Sequence, residues 1–243
     1  MEVSAAMSAA IPILIGAILP YVALIGFVAG VVYRLVSWQR LPQPAPMTLY
    51  PTQGSGLGPL LREALLLPSL RRGDGSLWKL AWVFHATLAI AFVGHLRVVT
   101  QIGDRALAGL GAGPGAIAVL SAGLGGAAGI VLLIAIAGFI ARRLLVQRVR
   151  EISSAPDFAG LLLLTAVIAS GNLMRWLGSP SELSLARAWV GSLLTLSPHA
   201  PRSVLLLVHA FFAELLILYV ACSKLMHFGG FFFTFSLTKR TDP

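Results

Sequence analysis

The sequence predicts an all-α membrane protein: five transmembrane helices bundled as one integral membrane domain over residues 1–243. Three observations carry that prediction. Of the 243 residues, 57% are hydrophobic and 11% charged, with a mean hydropathy of +0.87, whereas a soluble domain carries about 25% charged residues. Five apolar runs reach the roughly 20 residues needed to cross the hydrocarbon core, at about 11–36, 77–102, 116–145, 158–177 and 204–228. Finally, the 18 basic residues, set against 9 acidic ones, sit at the ends of those runs. A nucleic-acid-binding chain would gather them on one surface, so the lipid bilayer is the expected partner and nucleic acid is not. One cysteine, Cys222, leaves no disulfide framework and no cysteine-held zinc or iron–sulfur site within the chain.

The first span, Ile11 to Val36, lacks a basic segment ahead of it and is longer than the apolar part of a signal peptide, so it reads as a retained helix that Pro20 kinks. Residues Leu41 to Gly58 are rich in Pro, Gly, Gln and Ser and read as a loop. PLLREALLLPSLRR follows, an amphipathic piece ending in Arg71 and Arg72. It suits a helix lying at the membrane interface or a docking site for a cytoplasmic partner. Leu77 to Ile102 is the second span, joined by a Gly- and Ala-rich connection, Gly103 to Gly115, to the third. Gly123, Gly125, Gly126 and Gly129 in the third span are expected to let a neighbouring helix approach closely. The dense basic stop RRLLVQRVR ends it, and Phe158 to Leu177 is the fourth span. An amphipathic segment, Glu182 to Leu196, and the proline-flanked His199 lead to the fifth, Val204 to Phe228. The tail GGFFFTFSLTKRTDP closes the chain.

Counting Lys and Arg orients the bundle. Thirteen lie on one side, among them Arg34, Arg40, Arg71, Arg72, Arg142, Arg143, Lys224 and Lys239; five lie on the other, Arg97, Arg105, Arg175, Arg187 and Arg202. The positive-inside rule then places the N-terminus outside and the C-terminus in the cytoplasm of a bacterial or archaeal inner membrane. Five spans require termini on opposite sides, in agreement.

Ionisable side chains inside membrane spans are functional candidates. The second span carries His85 and His95, and the fifth carries His209 and His227. The two spans run in opposite directions, so depth pairs His95 with His209 toward the outside and His85 with His227 toward the cytoplasm. Two histidines from facing helices suit the two axial positions of a haem iron. The chain thus reads as a holder of two stacked b-type haems, with His85, His95, His209 and His227 as iron ligands. Two strong axial imidazoles leave no open iron position, so the expected task is electron transfer. The spacings do not match. Eighteen residues on a helix put His209 and His227 on one face about 27 Å apart, whereas ten residues separate His85 and His95 by about 15 Å and about 80°. A tilt or a kink must absorb the difference.

Other polar residues carry two readings each. Arg142 and Arg143 suit haem propionates, through the bidentate fork of guanidinium on carboxylate, or serve as a membrane stop. Arg97 and Arg175 are their outer counterparts. Glu214 is a proton route or a haem contact, or else a neutral glutamate bonded to a neighbouring helix. His199 reads as a loop residue, with a quinone contact as its alternative. Cys222 is expected in the core.

Three segments then point to a family. FHATLAIAFVGH, RRLLVQRVREISSAPD and SKLMH resemble the respiratory nitrate reductase gamma subunit family, which includes the DsrM-type cytochromes of sulfur-metabolising complexes. The resemblance covers Leu77 to about Arg240. It implies His95 and His209 on an outer haem b, His85 and His227 on an inner one, and a quinol site beside the outer haem with Gly94 at its edge. The lysine that serves this site in nitrate-type members has no counterpart in GLGAGPGAIAV, and Arg97 or Arg105 stands as its substitute. The tail resembles the DsrM branch more closely. The resemblance therefore implies a di-haem subunit exchanging electrons between a quinone (menaquinone) pool and a cytoplasmic iron–sulfur subunit, with substrate chemistry in partner subunits. Two other classes stay open: a proton channel or transporter lined by the histidines and Glu214, and a structural anchor.

Overall fold

The computed structural model describes residues 10–41, 57–227 and 229–231, and all regular elements among them are helical. In chain order they are α1 (Ala10–Arg40), α2 (Leu57–Leu66), α3 (Pro68–Gly73), α4 (Gly75–Val99), α5 (Ile102–Gly109), α6 (Pro114–Leu145), α7 (Gln147–Glu151), α8 (Ala155–Leu177), α9 (Glu182–Leu194) and α10 (Val204–Cys222). A 3-10 turn, Lys224–Met226, follows α10, and residues 227 and 229–231 after it are again helical. Helices α1, α4, α6, α8 and α10 are long and apolar enough to cross a membrane.

Their ends differ from the apolar runs because caps, not hydropathy, set them. The Asp74 carboxylate accepts from the Leu77 N–H at 2.9 Å and starts α4 at Gly75. That bond, followed by those from Ser76 and Arg142, holds the carboxyl of Asp74 below the usual carboxylate range. Pro114 and Pro156, which need no intrahelical N–H partner, open α6 and α8. Thr100 is extended (φ −145°, ψ 153°) and stops α4 short of Ile102. The connection expected at Gly103 to Gly115 contains α5, and Gly111 then turns the chain at φ +91°, where a side chain would be strained. The amphipathic piece after the proline-rich run is two helices, broken at Leu67 (φ 49°) ahead of Pro68. The loop read from Leu41 to Gly58 lies largely outside the described residues, as does the tail beyond Phe231, and its last two residues open α2.

Pro20 distorts α1 as expected. Residues Leu14–Ile18 form a π-turn, and Pro20 has no N–H to offer the Gly16 carbonyl. The indole Nε1 of Trp189 donates to that carbonyl at 2.7 Å, and the Tyr21 hydroxyl donates to the Leu193 carbonyl at 2.9 Å. These two bonds tie α9 to α1.

Lipid is as apolar as a leucine side chain, so close packing rather than water exclusion joins the spans. The extensive contacts run α4–α6–α8–α10–α1. Phe84 of α4 and Leu132, Ala135 and Ile136 of α6 form the buried core, with Leu164 and Ile168 of α8 packed against it. At the α6–α8 seam, a Cβ on Gly126 would meet the Trp176 ring at 3.3 Å, and one on Gly129 would overlap Asn172. Gly125 is filled by the Arg175 guanidinium, whereas Gly123 faces open space. Three of the four expected packing glycines therefore sit in the seam. Gly26 and Gly30 of α1 receive Leu218 and Ala221 of α10.

Overpacking a tight seam costs about 1–3 kcal/mol. Gly129→Leu is expected to lower the thermal unfolding midpoint of the detergent-solubilised chain, and Gly123→Leu to leave it unchanged.

Candidate functional site

Helices α4 and α10, which carry the histidines, have no packing comparable to the seams just described; α6 and α8 bridge them. Across the interval the four imidazoles meet in two pairs. His95 and His209 have ring centroids 6.1 Å apart with planes 24° from parallel. His85 and His227 have centroids 5.9 Å apart with planes at 86°. These are the pairs that antiparallel running predicts.

Each ring has the same nitrogen engaged by the backbone. Nδ1 of His85 and of His95 lies 2.7 Å from the carbonyls of Ala81 and Ala91, one turn back. Nδ1 of His227 lies 3.3 Å from the Lys224 carbonyl. Nδ1 of His209 lies 3.2 Å from the Val167 carbonyl and 3.1 Å from the Ser170 hydroxyl, which itself donates to that carbonyl. A carbonyl only accepts, so every Nδ1 carries a proton, and in the neutral ring Nε2 then presents a lone pair, the arrangement that prepares a histidine as a metal ligand.

An imidazole nitrogen binds a metal at about 2 Å and lies about 1 Å from its ring centre, so two rings on opposite sides of one ion have centroids roughly 6 Å apart. Both pairs match that value. Among the described residues no three His, Cys, Asp or Glu side chains gather at one point. Two protein nitrogens per centre therefore suit a cofactor that brings its own remaining ligands, as a porphyrin does.

The unequal spacings are reconciled by a broken helix. His85 and His95 lie on unbroken α4, about 15 Å apart along its axis. A straight α10 reaching residue 227 would overshoot by about 12 Å. Instead α10 ends at Cys222, Ser223 is extended (φ −116°, ψ 178°), and His227 closes the 3-10 turn, so the span expected to run on to Phe228 is not one helix. The Ser223 hydroxyl oxygen caps the new turn by accepting from the Leu225 N–H at 3.2 Å.

Two neighbours of the His95–His209 pair have no sequence signature. Gly171 of α8 leaves space for His209, since a Cβ there would stand 3.2 Å from the ring's Cε1, and Ser170 supplies the hydroxyl. Beside His95, Gly94 faces open space. Arg97 bonds Asp104 at 2.8 and 3.1 Å and also reaches the Ser121 hydroxyl. Arg187 donates to the Arg97 carbonyl at 2.7 Å and approaches Asp104 at 3.5 Å. The bond from Arg97 holds the Asp104 carboxyl below the usual range. An open cavity at this end is lined by Val98 to Ile102 with Arg105 and Arg187.

At the other end, Arg142 donates to Asp74 at 2.6 Å, and Arg143 donates to the Ser153 hydroxyl at 2.9 Å. Both guanidinium groups thus tie the end of α6 to its neighbours, Arg142 to the start of α4 and Arg143 to the segment ahead of α8. Arg175 donates to the Ser121 and Ala122 carbonyls. Glu214 is buried at 4% exposure, and neither carboxyl oxygen has a partner among the described residues. It shares the face of α10 that meets α1 through Leu218 and Ala221, about 140° from His209. His199 is an exposed loop residue, and Cys222, expected in the core, is exposed at the end of α10.

A family model for the nitrate reductase gamma subunit matches residues 74–241. The Hdr-like menaquinol oxidoreductase cytochrome b-like subunit of Archaeoglobus profundus is 26% identical over 255 residues, covering 89% of this chain and 76% of that protein. The protein of the same description from Archaeoglobus fulgidus is 28% identical over 268 residues, covering 92% and 79%. The matched region holds both histidine pairs, the cap at Asp74 and the basic stop after α6, and on that match the chain belongs to the nitrate reductase gamma subunit family.

Proposed function

We propose that this chain is a membrane cytochrome b subunit with two b-type haems, working in a menaquinol-linked redox complex of the sulfur-metabolising, DsrM-like kind. One observation carries the reading. Two pairs of imidazoles, each with Nδ1 tied down and Nε2 bare, stand at metal-bridging separation on facing segments of the chain. The names of the two relatives, a menaquinol oxidoreductase and a cytochrome b-like subunit, support it.

A haem held by two histidines takes and gives one electron and leaves no coordination site for substrate. His95 and His209 hold the outer iron, and His85 and His227 the inner one. Ligands offset by about 15 Å along α4 would hold the two centres at different depths of a hydrocarbon core about 30 Å thick. The quinone site lies beside the outer centre, where Gly94 leaves the backbone open and Arg97, fixed by Asp104, supplies positive charge. Arg142 and Arg143 serve the inner propionates alongside their helix-end bonds, since guanidinium carries five donors. Electrons pass between the quinone and a cytoplasmic iron–sulfur subunit, with the N-terminus outside and the C-terminus in the cytoplasm. A proton relay through the same histidines is disfavoured, because three of the four Nδ1 protons point back into their own segment's backbone rather than along a chain of acceptors.

The test is a reduced-minus-oxidised spectrum with haem quantification on the purified chain. The expected content is about two b haems per chain. His95→Ala and His209→Ala should each remove the same haem, and His85→Ala and His227→Ala the other. A colourless chain contradicts the reading, as does loss of one and the same haem in His85→Ala and His95→Ala. Gly171→Val should displace His209 and lower the content from about two haems to about one, sparing the inner centre.

A further inference from the structure

Three of the four histidines ride inside long α-helices, where a ladder of backbone bonds on both sides fixes the ring. His227 sits at a junction instead. It follows the helix break at Ser223, caps the three-residue turn Lys224–Met226 and opens a short helical stretch that includes residues 229–231. The first residue after such a turn is a looser mount for a metal ligand than the middle of a span unless something outside it holds it.

Lys224 supplies that hold from two directions. Its carbonyl accepts from Nδ1 of His227 at 3.3 Å. Its ammonium reaches across to Asp157 in the first turn of α8, with N–O distances of 2.9 and 3.0 Å. Asp157 is itself fixed: its side chain is 5% exposed and accepts from the Ser154 N–H at 3.0 Å and the Ser154 hydroxyl at 2.9 Å, with Arg143 at 3.9 Å. One turn before the break, the Tyr219 hydroxyl donates to the Pro156 carbonyl at 2.5 Å and ties α10 to the same end of α8. Met226, 2% exposed, plugs the turn into the bundle. The Lys224 side chain is 77% exposed, and an ion pair with so exposed a partner adds little to overall stability. Its consequence is therefore orientation of the turn rather than folding of the chain.

We propose that the Asp157–Lys224 ion pair positions the inner ligand: it sets the orientation of the His227 imidazole, and thereby the properties of the inner haem, without acting on the outer one. This rests on the two-haem reading. Lys224 and Asp157 are positioning residues, reaching the cofactor only through His227.

Paramagnetic resonance of the oxidised full-length chain, with a redox titration, tests it. A low-spin ferric haem with perpendicular ligand planes gives a wider spread of g values than one with parallel planes, so ring planes at 86° and 24° should separate the two signals. The His227→Ala spectrum assigns the inner one. Lys224→Met should move or broaden the inner g value and shift the oxidised-to-reduced ratio of that haem about tenfold, or about 59 mV for one electron, while the outer signal stays in place. Lys224→Arg should restore the wild-type spectrum. An unchanged inner signal in Lys224→Met overturns the proposal. So does a shifted potential with an unchanged g value, which marks a charge effect alone, or a parallel change in both haems. A wild-type chain without haem removes the two-haem reading and this proposal together; a two-haem wild type with an unaltered Lys224→Met variant removes this proposal alone.

Discussion

The bond from each histidine Nδ1–H to a carbonyl oxygen is the interaction on which the site depends. An imidazole in an apolar span is unfavourable unless its N–H finds an acceptor. In α4 the acceptor is the carbonyl four residues back, already part of the helix ladder, so the helix satisfies the donor without a polar neighbour. The same bond fixes the tautomer and leaves Nε2 as the nitrogen free to meet a metal. His209 needs more, because Gly171 leaves it close against α8, and there Val167 and Ser170 take the proton jointly.

The order of helix packing follows from that interval. If α4 and α10 packed directly, as the glycine-lined seams between α6 and α8 and between α10 and α1 do, their imidazoles would have no space for anything between them. The glycines are placed instead where helices must touch: Gly125, Gly126 and Gly129 close α6 on α8, and Gly26 and Gly30 close α1 on α10. Tight seams elsewhere hold α4 and α10 apart at a fixed separation. The polar ties at the two ends, Arg97 with Asp104 and Arg142 with Asp74, fix α4 against α5 and α6. The interval is thus a product of packing elsewhere in the bundle.

Much of this was legible in the residues. Hydropathy marks all five candidate spans, and antiparallel running of the second and fifth pairs the histidines as their rings lie in the structure. The mismatch between spacings of 18 and 10 residues signalled a deformation, but its place was hidden. Apolar residues resume at Leu225 and Met226, and Ser223 with Lys224, a pair that reads as no more than a polar interruption, marks the break. The partners of Arg142 and Arg143 were equally hidden, because Asp74 stands 68 positions from Arg142 and guanidinium–carboxylate geometry is not a local property. Gly171 and Ser170 read as ordinary small residues of the fourth span; their role exists only once α8 meets α10. Helix α5 was masked by glycine and alanine, and Asp104 within it ties it back to Arg97 of α4.

A density map of the purified chain in its complex, resolved well enough to orient the imidazoles, tests the central claim most directly. The account predicts two porphyrins between α4 and the α10 segment, each iron bonded by Nε2 of His95 and His209 or of His85 and His227. Ligation through Nδ1, one iron shared by His85 and His95, or rings turned to lipid with nothing between them would contradict it.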